Sequence, residues 1–114
     1  MQARSPIVLL VVAVLACHHG TPVPVNPRAE VAVSVDNQGV ADVDVFLIRS
    51  GGQRIRIGMV PALSKAILMV RPEYIGFGSD VQFEVHPIAS RRNAISERIS
   101  ARPGDVIQLV IPPR

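Results

Sequence analysis

From residue 30 onward the chain alternates. Val31, Val33 and Val35 fall on one side of a two-residue period and Ala32 and Ser34 on the other, the pattern of a strand half buried against a core. Asp36-Asn37-Gln38-Gly39 follows with turn chemistry: side chains that tolerate a left-handed backbone, then a glycine. Val43, Val45 and Leu47 next share one face, with Asp42, Asp44 and Phe46 on the other. Ser50-Gly51-Gly52-Gln53 then reverses the chain. Beyond it Ile55, Ile57 and Met59 alternate with Arg54, Arg56 and Gly58, which makes this the clearest hairpin in the sequence.

Pro61 ends that strand. Residues 64–70 (SKAILMV) form a nearly continuous apolar run, which fits a strand buried on both faces or covered by a loop; a short helix is the competing reading. Residues 71–80 (RPEYIGFGSD) are a glycine-punctuated loop. Val81, Phe83 and Val85 alternate with Gln82, Glu84 and His86 until Pro87 stops the strand. Ser90-Arg91-Arg92-Asn93 is a polar turn, residues 95–100 a weaker strand, and Arg102-Pro103-Gly104-Asp105 a tight turn. Residues 106–111 are the last strand, closed by Pro112-Pro113. About seven strands with turn signals between them predict an all-β fold, a single antiparallel β-sandwich over residues 29–114. The Asp36-Asn37-Gln38-Gly39 turn, the strand over residues 43–48 and the closing Pro103-Gly104-Asp105-Val106 unit resemble small transthyretin-like or carboxypeptidase-regulatory-like sandwiches. The Cys…Trp…Cys triplet of true immunoglobulin domains is absent, since the chain has no tryptophan. That resemblance implies an Ig-like fold and transfers no functional residue.

The first 28 residues break the period. Residues 7–16 (IVLLVVAVLA) are ten apolar residues in a row, behind Arg4 and the terminal amine. A helix that crosses a bilayer needs about 20. A basic start, a short apolar core and a small residue at its end instead describe a cleaved secretory signal peptide over residues 1–16. Val14-Leu15-Ala16-Cys17 resembles the lipobox of bacterial lipoproteins. The resemblance implies that the Cys17 sulfur takes a diacylglyceryl group, that the leader is cut before it, and that the new amine is acylated, with palmitate as the expected chain. Cys17 is the only cysteine, so an internal disulfide is ruled out; the plainer alternative is a small buried residue. Two or more acyl chains hold a protein stably on a membrane. His18 stands where an aspartate would favour the inner membrane, so the same family rule points to the periplasmic face of an outer membrane. In an organism without one, it points to the plasma-membrane exterior. Residues 18–28 (HHGTPVPVNPR) carry three prolines and a glycine, cannot propagate a helix, and complete with Cys17 an extended tether.

Composition and charge narrow the chemistry. With 114 residues, 48% hydrophobic and 18% charged, the chain is too apolar for wholesale disorder and too short for two independent cores. The 12 Lys+Arg fall to 11 when Arg4 leaves with the leader, against 9 Asp+Glu. The H-E-x-x-H and G-x-S-x-G motifs and a phosphate-cradling glycine loop are missing. His86 is the only histidine inside the domain, and an exposed strand position is its default. No enzymatic activity, cofactor or metal is expected. His18-His19 lack a third ligand, and Asp36, Asp42 and Asp44 lack calcium-loop spacing, so both sets read first as solvated polar groups.

Arg54 and Arg56 share a face, and Arg91, Arg92 and Arg98 cluster in sequence. They fit either a solvated sheet face or contacts to phosphate and carboxylate oxygens. Tyr74 is the one aromatic platform, beside an Ile75-Gly76-Phe77-Gly78 loop that either docks a partner or covers one end of the core. Export and few stacking platforms count against nucleic acid. The leading expectation is a membrane-anchored, non-enzymatic envelope lipoprotein that contacts another envelope protein or acts as a structural accessory. Strand addition at an exposed sheet edge is its mechanism, with Phe46, Ile48 or Tyr74 as anchors. The alternative is a glycan or anionic-lipid binding module using the arginine face. A small hydrolase or inhibitor with an unrecognised site comes third.

Overall fold

The computed structural model describes residues 26–76, 80–88, 90–91 and 93–113, together with the backbone of residues 11–14. Leu15, Ala16 and Cys17 of the lipobox, tether residues 18–25, the leader before residue 11, Phe77, Gly78 and Arg92 lie outside the described residues. The elements in chain order are β1 (Val11–Val14), β2 (Val31–Asn37), β3 (Val43–Ile48), β4 (Arg54–Val60), β5 (Ser64–Val70), α1 (Pro72–Ile75), β6 (Asp80–Pro87), β7 (Ala94–Ile95), β8 (Ile99–Ser100) and β9 (Val106–Ile111). They form two sheets around one core, an all-β arrangement consistent with a sandwich.

Sheet A has the order β1-β9-β2-β5, and sheet B the order β4-β3-β6-β7 with β8 beside the start of β6. In sheet A, β2 pairs antiparallel with β5 from Val31↔Val70 to Asn37↔Ser64. It pairs parallel with β9, from Ala32↔Val106 to Asn37↔Ile111. The expectation of a wholly antiparallel sandwich fails at that one pair. β2 and β9 both enter the sheet at the end where residues 26–30 arrive, and the strands between them return the chain to that end. First and last strands of the domain therefore run the same way, as a long crossover allows.

The inner faces hold the predicted stripes of β2, β3 and β6, joined by one from β9. Val31, Val33 and Val35 of β2, Ile107, Leu109 and Ile111 of β9, Val43, Val45 and Leu47 of β3, and Val81, Phe83 and Val85 of β6 are all buried in one cluster. The run over β5 resolves as a strand and not a helix. It is not covered on both faces: Ala66, Leu68 and Val70 turn inward, while Ile67 and Met69 stand exposed on the outside at 67% and 50%.

Sequence alternation misplaces two strands of sheet B, and a one-residue insertion explains each. In β4 the register slips between Val45 and Phe46, so that Val45 opposes Gly58 while Phe46 opposes Arg56. Ile57 is the extra residue, and parity flips past it. Met59, read as an inner residue, is exposed, and Gly58 faces Leu68 of β5 so closely that a Cβ would lie 2.8 Å from Leu68 Cδ2. The weak strand over residues 95–100 is in fact two short pieces, β7 and β8. Their registers on β6 differ by one residue, Glu84↔Ile95 against Val81↔Ile99. Ser96 bridges the break: its N–H donates to the Phe83 carbonyl at 2.8 Å and its hydroxyl accepts from the Phe83 N–H at 2.9 Å. Ile95 points out and Ile99 in as a result.

The two ends of the sandwich are closed by local polar geometry. Where residues 26–30 arrive, Asn26 Oδ1 accepts from the Arg28 N–H at 2.9 Å, and the Arg102-Pro103-Gly104-Asp105 turn places Asp105 to accept from the Ala32 N–H at 3.0 Å. α1 sits at this end as a single helical turn with Pro72 in its first turn, inside the segment read as loop, and plugs the core with Ile75. The opposite, distal end is organised by Asn37, which is only 1% exposed. Its amide donates to the carbonyls of Ala41 at 2.9 Å, Pro61 at 3.1 Å and Val60 at 3.3 Å, while its Oδ1 accepts from the Gly39 N–H at 3.0 Å. One side chain thus joins the β2–β3 turn to the β4–β5 corner, which links sheet B to sheet A.

Replacing Asn37 by Ala strands several carbonyls and one N–H in a dry corner. Asn37→Ala is expected to lower unfolding free energy by about 2–3 kcal/mol, read as a lower urea midpoint at unchanged m-value. A shift below about 0.5 kcal/mol would remove Asn37 from this role.

Candidate functional site

The side chains with charge converge on the outer face of sheet B, because β4, β3 and β6 are neighbours there and carry polar residues at alternate positions. Phe46 of β3 stands opposite Arg56 on one side and Glu84 on the other. Arg54 lies over this ring, its Cζ 4.1 Å from the centroid, and its Nε donates to Glu84 Oε1 at 2.7 Å. The Glu84 side chain is only 7% exposed, whereas Arg54 is about half exposed. The second carboxylate oxygen of Glu84 accepts from the Asn93 amide, and Asn93 Oδ1 faces His86 Nδ1. With the amide turned to feed Glu84, His86 Nδ1 is the donor of that contact. The result is a chain of four side chains, Arg54-Glu84-Asn93-His86, in which a buried carboxylate is satisfied at both oxygens.

Arg56 makes the second ion pair, with Nη2 and Nε at 2.9 and 3.2 Å from the same oxygen of Asp44. It is the more exposed of the two. Two acids near the β2–β3 turn are also held. Asp42 Oδ1 accepts from the Ala62 N–H at 2.9 Å, and Asp36 accepts from Gln38 at 3.0 Å. Among the described residues, no three His, Cys, Asp or Glu side chains gather where a metal could bind. Ser96 and Ser64 hydroxyls donate to the carbonyls of Glu97 and Ala62.

The sequence-predicted contact residues are therefore only partly brought together. Arg54 and Arg56 share the face as expected, each against a carboxylate. Arg91 lies elsewhere. It follows Pro87, which pairs with Val43, whereas Arg54 pairs with Ile48 at the other end of β3. Tyr74 is half buried and packs on the core beside Ile75, so this part of the loop covers one end of the core. Ile48 is also half buried, and Phe46 is stacked under Arg54. Residues not singled out from the sequence, Glu84, Asn93 and Asn37, turn out to carry the polar architecture. Alternation places Glu84 on a polar face; its burial follows only once β4 and β6 are known to flank β3.

Most exposed apolar side chains lie away from this network, although Met59, opposite Asp44, and Ile95, opposite Glu84, stand exposed beside it. Ile67, Met69 and Val106 mark the outer face of sheet A, in register through Ala32, which opposes both Met69 and Val106. Val40, Leu63 and Ile88 crown the distal end, around a cleft of about 240 Å³ whose walls include Val43, Val85, Pro87, Ile111 and Pro112. Leu63 holds a left-handed backbone with φ 55° while 70% exposed. Such strain at an apolar, solvated tip is uncommon outside functional loops. A larger, open groove of about 810 Å³ at the opposite end is walled by Pro27, Arg28, Arg71, Glu73 and Pro103, with charges of both signs.

The two ion pairs should differ in strength. In double-mutant cycles through alanine, Arg54 and Glu84 are expected to couple by about 1–2 kcal/mol, since removing Arg54 leaves the buried Glu84 carboxylate short of a partner. Arg56 and Asp44 are expected to couple by less than about 0.5 kcal/mol, because water screens them. Equal couplings would remove the distinction. No protein-family model, curated protein or solved structure matches this chain.

Proposed function

We propose that this chain is an exported lipoprotein whose β domain works as a non-enzymatic interaction module on the surface of a membrane. The observation that carries the reading is the junction at residues 7–17: ten apolar residues, too few to span a bilayer, running straight into Val14-Leu15-Ala16-Cys17 with the only cysteine of the chain. Cleavage before Cys17 and acylation of it tether the domain through residues 17–28, with the transthyretin-like sandwich beyond. The tether reaches the sandwich at Asn26, at the end opposite Val40, Leu63 and Ile88. Anchored so, the domain keeps its distal apolar loops at the end remote from its own tether, open to a partner protein in the envelope.

Support for protein contact over headgroup or glycan contact comes from where charge is spent. Arg54 and Arg56 are engaged by Glu84 and Asp44, while the apolar side chains of sheet A and of the distal loops face solvent. Surfaces of this kind mark protein contact sites.

The anchor is tested by fractionating cells that express the full chain or its Cys17→Ala variant. The wild-type chain is expected in the membrane pellet and the variant in the soluble exported fraction, with a mass increment of diacylglyceryl and acyl groups on wild type alone. A variant that stays in the pellet, or a wild type with an unmodified thiol, overturns the reading.

A further inference from the structure

Four strand edges bound the two sheets, and three of them carry devices that discourage pairing with another chain. β4 has Arg54 and Arg56 on its outer face and a bulge at Ile57. β5 has Lys65, opposite Asp36. β7 and β8 are two residues each, with exposed Glu97 and Arg98 between them. The fourth edge is β1, and β9, the strand it covers, has none of these. Val106-Ile107-Gln108-Leu109-Val110-Ile111 is six residues long, uncharged and proline-free, and its pairing with β2 runs without a bulge. What covers it is β1, antiparallel in unbroken register from Val11↔Val110 to Val14↔Ile107. An undefended edge already filled by an uncharged, valine-rich strand is an acceptor for strands of that kind.

Residues 11–14 belong to the segment that the lipoprotein reading removes, so the inference rests on that reading. We propose that once residues 1–16 are cut away, β9 pairs antiparallel with β9 of a second copy of this chain. β9 meets the requirements of its own edge: it resembles β1 in being valine-rich and free of charge, so self-pairing sets no like charges against each other. The geometry also closes. A twofold axis perpendicular to the sheet pairs residues of equal parity, keeping Ile107, Leu109 and Ile111 on the inner face and Val106, Gln108 and Val110 on the outer. Sheet A then continues as β5-β2-β9-β9-β2-β5 across two copies. Because the pairing is antiparallel and β2 runs parallel to β9, the two Asn26 turns, and hence the two anchors, lie at opposite ends of the joined sheet, and each tether of residues 17–28, at about 3 Å per residue, reaches one bilayer from its own end.

The test uses the full gene with its native leader, carrying Gln108→Cys on the outer face of β9 or, as control, Gln53→Cys on the β3–β4 turn. A short bis-maleimide is applied to intact cells, and chain masses report which molecules have lost residues 1–16. Processed Gln108→Cys is expected to link to a second copy at least about fivefold more than processed Gln53→Cys, and the signal to fall to the control level when Val110→Lys places a charge on the same edge. Processed Gln108→Cys linking no better than control, linking to a foreign chain instead, or ignoring Val110→Lys overturns the self-pairing while leaving the membrane anchor intact. Retention of residues 1–16 in every chain overturns leader removal and the dimer together. Native Cys17 is present in both variants, so any free thiol there raises the two signals equally.

Discussion

The hiding of one side-chain parity on each sheet is the constraint from which the rest of this structure follows. Sheet A obeys it without interruption: every second residue of β2, β5 and β9 turns inward, and Val33 and Leu109 reach complete burial. Sheet B obeys it only by inserting a residue twice. The Ile57 bulge lets Ile57 and Val60 both serve the core although no single alternation contains them. The step around Ser96 does the same for Ala94 and Ile99. Gly58 is the residue that makes the first insertion tolerable, because Leu68 occupies the space that its side chain would need.

That constraint leaves outer faces of opposite character. On sheet B the outward parity carries acids and arginines, and neighbouring strands bring them into contact across Phe46. A carboxylate as buried as Glu84 is tolerable because both of its oxygens have donors. The network therefore acts as a lock on strand order β4-β3-β6, since a different order would leave Glu84 unsatisfied. On sheet A the outward parity is short and apolar, with Ile67, Met69 and Val106 and the single Lys65–Asp36 cross-strand pair. Sheet B pairs its charges with one another beside exposed Met59 and Ile95, whereas on sheet A Ile67, Met69 and Val106 face solvent.

How much of this is legible in the sequence depends on the range of the interaction. Turns and inner stripes are local. Arg102-Pro103-Gly104-Asp105 and the Gly51-Gly52 reversal, with Gly52 and Gly104 at positive φ, are found where composition places them. The inner faces of β2, β3 and β6 are likewise read correctly from alternation. What escapes are consequences of pairing. Gly58 inside a strand is a recognised sign of a bulge, and reading it so would have turned Met59 outward. Asn37 looks like any turn asparagine, and nothing nearby announces that its amide reaches Val60 and Pro61, 23 and 24 residues away. Glu84 and Asn93 escape for the same reason: their importance depends on Arg54 arriving from a strand 30 residues earlier.

The leader segment shows how one composition can serve two physical ends. Residues 7–16 are rich in β-branched valine and isoleucine, which suits an extended strand as well as an export signal. Its stretch at residues 11–14 satisfies the open N–H and C=O groups of β9 while it remains attached. Under the proposed processing, its removal does more than release an amino terminus. It strips the partner from the one long edge that lacks a charge, a bulge or a proline, and the unsatisfied backbone groups of that edge must then turn to water or to another strand. Water satisfies them without burying apolar surface; a strand does both. Under the proposed lipid anchor the balance favours a strand, because holding copies in two dimensions raises the effective concentration of one edge near another.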